Sequence, residues 1–145
     1  MPVISMAKPK PILTKHIDAI LPFLEIFEKP GFKCGEWDQP ESRESNEFIM
    51  LDYQYAPPVE EFVQALYDND WVEKFDWKKW QDTAVQYVDS PNLLATSDAE
   101  TIRKLLTTHV RKDRFCEGHV ASMCENGHIV AVLRRLKEIR KEMKA

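Results

Sequence analysis

Between Val59 and Ile139 apolar side chains recur every three or four positions, and this spacing constrains the fold more than any other feature of the chain. Val59, Phe62, Val63, Leu66 and Tyr67 fall on one stripe, Ile102, Leu105, Leu106, His109 and Val110 on a second, and Ile129, Val132, Leu133, Leu136 and Ile139 on a third. A period near 3.6 gathers each set on one face of an α-helix, which must then be buried against a neighbour. The predicted fold is mainly α: one compact domain of five or six helices, with one or two short strands within residues 32–56.

Punctuation sharpens the boundaries. Ile17, Ile20, Phe23, Leu24 and Phe27 predict a helix that Thr14 would cap, Pro22 would kink and Pro30-Gly31 would end. Glu60 and Glu61 occupy the first turn of the next helix, where its dipole favours carboxylates. Asp76 reads as the N-cap of a helix carrying Trp77, Trp80, Ala84 and Val88, stopped by Ser90-Pro91. Ser97 and Glu100 match a capping box. After a break near Arg111–Arg114 comes a short helix with Phe115, Val120 and Met123, then an Asn126-Gly127 turn and a last helix from about His128. Phe48 to Tyr55, rich in aromatics, predicts extended chain. Residues 1–13, with Pro2, Pro9 and Pro11 among lysines, read as a flexible N-terminal arm, and residues 14–145 as the helical domain.

Composition excludes several classes. The 145 residues are 43 % hydrophobic and 30 % charged, which fits a globular chain and not a disordered one. No apolar run approaches the roughly 20 residues of a membrane span, and no signal peptide is evident. Cys34, Cys116 and Cys124 cannot all pair within the chain, so reduced thiols and a cytoplasmic location are expected. The net charge of −4 conceals an asymmetry: residues 1–100 carry −10 and residues 101–145 carry +6. The basic third would meet the acidic remainder of its own chain, or an anionic partner. Nucleic acid is disfavoured by the overall acidity.

Chemistry concentrates in Thr107-Thr-His-Val-Arg-Lys-Asp-Arg-Phe-Cys-Glu-Gly-His119. Thr108, Arg111, Lys112, Arg114 and His119 form the candidate ligand site. Guanidinium forks suit phosphate or carboxylate, Lys112 adds a point charge, and the following helix would add its N-terminal N–H groups. The competing structural account has Arg111 and Arg114 capping their own helix and pairing with local carboxylates. His109, on an apolar stripe, reads as a hydrogen-bonded core histidine. Cys116, His119, Cys124 and His128 have the ligand types for zinc, yet four residues between the two pairs are too few to wrap an ion, so no metal and no cofactor is expected. Cys116 as a nucleophile lacks an identifiable partner, and no phosphate-binding glycine loop or nucleophile elbow is present. Trp71, Trp77, Trp80, Tyr53, Tyr55 and Phe75 read as core aromatics before they read as a stacking surface.

The resulting expectation is a small binding or regulatory module that takes an anionic ligand or an acidic partner protein at the 107–119 corner. A bacterial or phage conflict system is one setting for a module of this size. The rival is an enzyme on a nucleotide or nucleic acid with His119 as general base. A third is a structural interaction domain that docks through the basic last helix.

Phe62-Val-Gln-Ala-Leu-Tyr67, Phe75-Asp-Trp-Lys-Lys-Trp80, Leu105 to His119 in full, Gly127-His-Ile129 and Leu133-Arg-Arg-Leu136 also carry a resemblance. Over roughly residues 50–140 the chain resembles a family of uncharacterised bacterial and archaeal proteins known as a numbered domain of unknown function. That resemblance implies no activity.

Overall fold

A computed structural model of the chain describes residues 11–37 and 53–143. The expectations for residues 1–10 of the arm, for Phe48–Asp52 and for Lys144 lie outside them.

Helix α1 spans Thr14–Ile20 and α2 spans Pro22–Phe27. They are the two halves of the predicted first helix, separated at Leu21 because Pro22 takes the N1 position of the second half, where its missing N–H costs nothing. The cap is Leu13 and not Thr14. With no side-chain oxygen at that position, His16 three residues on accepts from the Leu13 N–H through Nδ1 at 2.8 Å. His16 is buried, and its Nε2 faces Asp70 at 3.5 Å.

Strands β1 (Gly35–Trp37) and β2 (Tyr53–Tyr55) form one antiparallel ladder with Gly35 opposite Tyr55 and Trp37 opposite Tyr53. A Cβ at Gly35 would come within 2.3 Å of the Gln54 carbonyl oxygen, so this close pairing requires glycine.

The remaining helices are α3 (Pro57–Asp68), α4 (Trp77–Asp89), α5 (Pro91–Ala95), α6 (Ala99–Asp113), α7 (His119–Glu125) and α8 (His128–Glu142). Asp76 caps α4 by accepting from the Lys79 N–H at 3.4 Å. Ser90 ends α4 and also caps α5, an element too short to show a period in sequence. The Ser97–Glu100 capping box does not form. Asp98 caps α6 instead, accepting from the Thr101 N–H at 2.8 Å, a bond that lowers the pKa of its carboxyl. Ser97 donates to the Leu94 carbonyl, and Glu100 pairs with Arg103 at 2.8 Å.

The fold is mainly α, and its core gathers stripes from α1, α3, α6 and α8. Ile17, Ile20, Phe62, Leu66, Ile102, Leu105, Leu106, Ile129, Leu133 and Leu136 are all at most 1 % exposed. Trp71 is fully buried with them, its indole N–H donating to the His16 carbonyl at 2.9 Å. Thr107 ties α6 to the same loop, donating to the Trp71 carbonyl and accepting from the Glu73 N–H. Among the described residues no helix is long and apolar enough to cross a membrane.

Candidate functional site

The corner between α6 and α7 is fixed from one side by the β-ladder. Asp113, the last residue of α6, accepts from the Val120 N–H at 3.0 Å, replacing the side-chain cap that Gly118 cannot provide. Its carboxylate also accepts from the Tyr55 hydroxyl. Burial and this carboxylate push the Tyr55 pKa up, so the phenol keeps its proton. One turn later Glu117 accepts from the Tyr53 N–H at 3.0 Å. Gly118 turns the chain at φ +86°, in the left-handed region that glycine enters without strain.

Behind the corner lies a cluster of three histidines from three helices. His109 Nδ1 and His119 Nε2 are 3.0 Å apart, and the His128 ring meets the His109 ring edge to face at 4.9 Å. One proton shared between His109 and His119 requires that both rings not be charged at once. Burial lowers the pKa of all three, His128 to about 4, and Lys112 pushes in the same direction on His109 and His119. The cluster is therefore neutral at pH 7. No three His, Cys, Asp or Glu side chains among the described residues are placed to hold a metal ion, and that includes Cys116, His119, Cys124 and His128. Cys116 is exposed, while Cys124 lies near Cys34, and burial raises the pKa of both of those thiols.

The opposite side of the corner is open. Arg111, Arg114 and Phe115 share one face at the end of α6, and α4 packs its first turn beside them. Together with Trp77 and Lys78 they line a hollow of about 410 Å³. The Trp77 and Phe115 rings lie 6.0 Å apart at 28°, and the Lys78 ammonium sits 6.0 Å from the first and 5.7 Å from the second. Phe115 is 73 % exposed, the most exposed large hydrophobic side chain among the described residues. The backbone closes the carbonyl ends of α6 by itself: Arg114 N–H donates to Arg111, and the Phe115 and Cys116 N–H groups donate to Lys112. Neither arginine side chain caps the helix, and neither has a carboxylate partner among the described residues. The Nε of Arg111 is buried without a hydrogen-bond partner there.

The structure thus brings Arg111 and Arg114 together and separates them from the other sequence candidates. Thr108 is 2 % exposed and donates to the Lys104 carbonyl at 2.8 Å. His119 joins the histidine cluster. Lys112 is half-buried and electrostatically coupled to those histidines. The two lining residues that the sequence did not assign to the corner are Trp77 and Lys78. They arrive from a helix that begins more than thirty residues upstream, and only the packing of α4 on α6 reveals them.

The groove along α8 is larger, about 440 Å³, but mixed in sign: Glu28 and Glu138 line it together with Arg134, Arg135, Lys137 and Lys141. No curated protein and no solved structure matches the chain. A family match spans residues 12–142, from the residue before the α1 cap to the last residue of α8. The chain belongs to that family, the family of unknown function DUF6508.

Proposed function

We propose that the chain is a binding module for an anionic, phosphate- or carboxylate-bearing ligand, seated in the hollow between the start of α4 and the end of α6. The observation that carries this reading is the company of Arg111 and Arg114. Two guanidinium groups face a cavity together with Lys78, and among the described residues no acidic side chain lines it. Lys78 and Lys79 also occupy the second and third positions of α4, where the helix dipole disfavours cations and no carboxylate stands in the first turn. Of the two, only Lys79 has a carboxylate partner among the described residues, Asp76 at 3.8 Å. The end of α6 favours its arginines, but Lys78 stands against both their repulsion and the dipole of its own helix, a local conflict of the sort that marks binding sites. A bound anion relieves it. The three free thiols suit a reducing, cytoplasmic setting for such a module.

Thermal unfolding of the full chain against a panel of phosphate and carboxylate compounds tests the reading. A ligand at 100 times its Kd adds about 2.7 kcal/mol of stability. The Arg111→Ala/Arg114→Ala double variant should stay folded and lose the response. A panel without any stabilising anion, or a response that survives in the double variant, rejects the proposal.

A second reading, catalysis on a nucleotide with His119 as general base, draws on the His109–His119 hydrogen bond, which keeps a neutral imidazole oriented. Turnover lost in a folded His119→Ala variant would support it, and equal turnover would reject it. Docking of an acidic protein through α8 is less favoured, because Arg134 and Arg140 already bond Glu28 and Asp18.

A further inference from the structure

Resting on the anion reading above, we infer that the group carrying the phosphate is a nucleoside, whose base stacks on the Phe115–Trp77 pair while Arg111 and Arg114 hold the phosphate. The lining is the argument. A hollow for inorganic phosphate alone has no use for a phenyl ring standing 73 % in solvent. A groove for an apolar peptide would be lined by aliphatic side chains, and among the described residues this lining contains none: it is two aromatic rings and three cations. Flat π-faces beside fixed positive charge are the combination that takes a base and its phosphate together, because every base offers a face to stack on and every nucleotide an anion within reach.

The geometry is consistent in detail. Trp77 lies beside Phe115 with the ring centres 6.0 Å and the planes 28° apart, and most of the phenyl group is uncovered. The Lys78 ammonium, within 6.0 Å of both ring centres, polarises the pair and stands where an incoming base edge or phosphate oxygen would meet it. The hollow, about 410 Å³, is open to solvent, so a base would lie against its aromatic wall with one side uncovered. The chemistry is shared by two sources, a free nucleotide and one residue of a single-stranded nucleic acid. The 101–145 segment is basic while the rest of the chain is acidic, so a strand could follow the corner for only a short distance.

Calorimetric titration of the full chain with pyrophosphate, ADP and a deoxyadenylate decamer decides the matter. ADP should bind about tenfold or more tightly than pyrophosphate, the contribution of one stacked base. Phe115→Ala, at an exposed position, should erase that ratio. Phe115→Tyr should restore it, and Phe115→Leu, which keeps apolar area without a π-face, should not. If the decamer binds more tightly than ADP, the nucleotide comes from a strand; equal or weaker binding identifies the free nucleotide. Equal affinities for ADP and pyrophosphate, unaltered in Phe115→Ala, or full ADP binding by Phe115→Leu, would overturn the base-stacking inference and leave the anion site standing. Absence of binding by all three probes would overturn both.

Discussion

On α8, Arg134 bonds Glu28, Arg140 bonds Asp18 through two nitrogens at 2.8 and 3.2 Å, and Arg135 donates to the Ser97 carbonyl at 2.8 Å. At the end of α6 the same kind of side chain has no such partner among the described residues, and Arg111 and Arg114 turn instead to a hollow shared with Lys78. Both regions belong to the basic third of the sequence, and composition does not distinguish them. Topology does. Packing of α8 against α1 and α2 sets its arginines opposite the acidic part of the chain. Packing of α6 against α4 sets its arginines beside one more cation, Lys78. An excess of positive charge is thus paired within the fold in one place and left without a carboxylate partner among the described residues in the other.

The contrast can be pressed hardest within α6 itself. Arg103, eight residues before Arg111, is 3 % exposed and is engaged by Glu100 at 2.8 Å, by Glu73 at 4.0 Å and by the Asp70 carbonyl. Replacing it by alanine strands Glu73, whose carboxyl pKa burial already raises, and should cost about 4 kcal/mol in urea unfolding. A loss below about 1 kcal/mol would mean that α6 does not separate structural from available cations along its length.

Acid offers a second test, because it creates new positive charge at the crowded corner. The histidine pKa values are lower in the folded chain than the ordinary 6.5, so the unfolded chain takes up protons that the folded one refuses. Their contribution to stability is complete above pH 6.5 and is lost as pH falls toward the folded-state values. For His128, from 6.5 to about 4, the loss is about 3 kcal/mol. His128→Gln should flatten that part of the pH–stability curve. A wild-type curve already flat between pH 7 and 4 would show that the cluster accepts charge, and that the corner is less positive than its geometry indicates.

Legibility from the sequence follows the range of the physics involved. Periodicity is local, so α3, α4, α6 and α8 could be placed from their stripes, as could the kink at Pro22 and the turn at Gly127. Capping depends on one residue's choice between neighbours, and there Asp98 displaced Ser97 while Leu13 took the cap position expected of Thr14. Arg111 and Arg114 stood out because they are close in sequence. Trp77 and Lys78 carried no such signal, since their relation to Phe115 exists only after α4 docks on α6. His109, His119 and His128 are likewise spaced by turns whose angles no stripe encodes.

A smaller effect is expected at the surface of α8. The Arg134–Glu28 pair joins a 65 % exposed side chain to a 33 % exposed one, and a double-mutant cycle with alanine should give a coupling of about 0.5 kcal/mol that shrinks as salt rises. No coupling at low salt would remove this pair from the set of cations used by the fold.

The smallest change, and the one that defines the other side of the comparison, is expected for Arg114→Ala. This side chain is exposed, caps no carbonyl and meets no carboxylate among the described residues, so its removal breaks no bond there and should alter stability by less than about 0.5 kcal/mol. Salt gives the sign. Screening weakens the attraction that Arg134 feels from Glu28, but it also weakens the repulsion that Arg114 feels from Arg111 and Lys78. Between low and high salt, Arg134→Ala should therefore approach the wild type from below, and Arg114→Ala from at or above it. If Arg114→Ala instead destabilised the chain by 1 kcal/mol or more at low salt, the arginine would have a structural partner, and the two regions would differ in degree and not in kind.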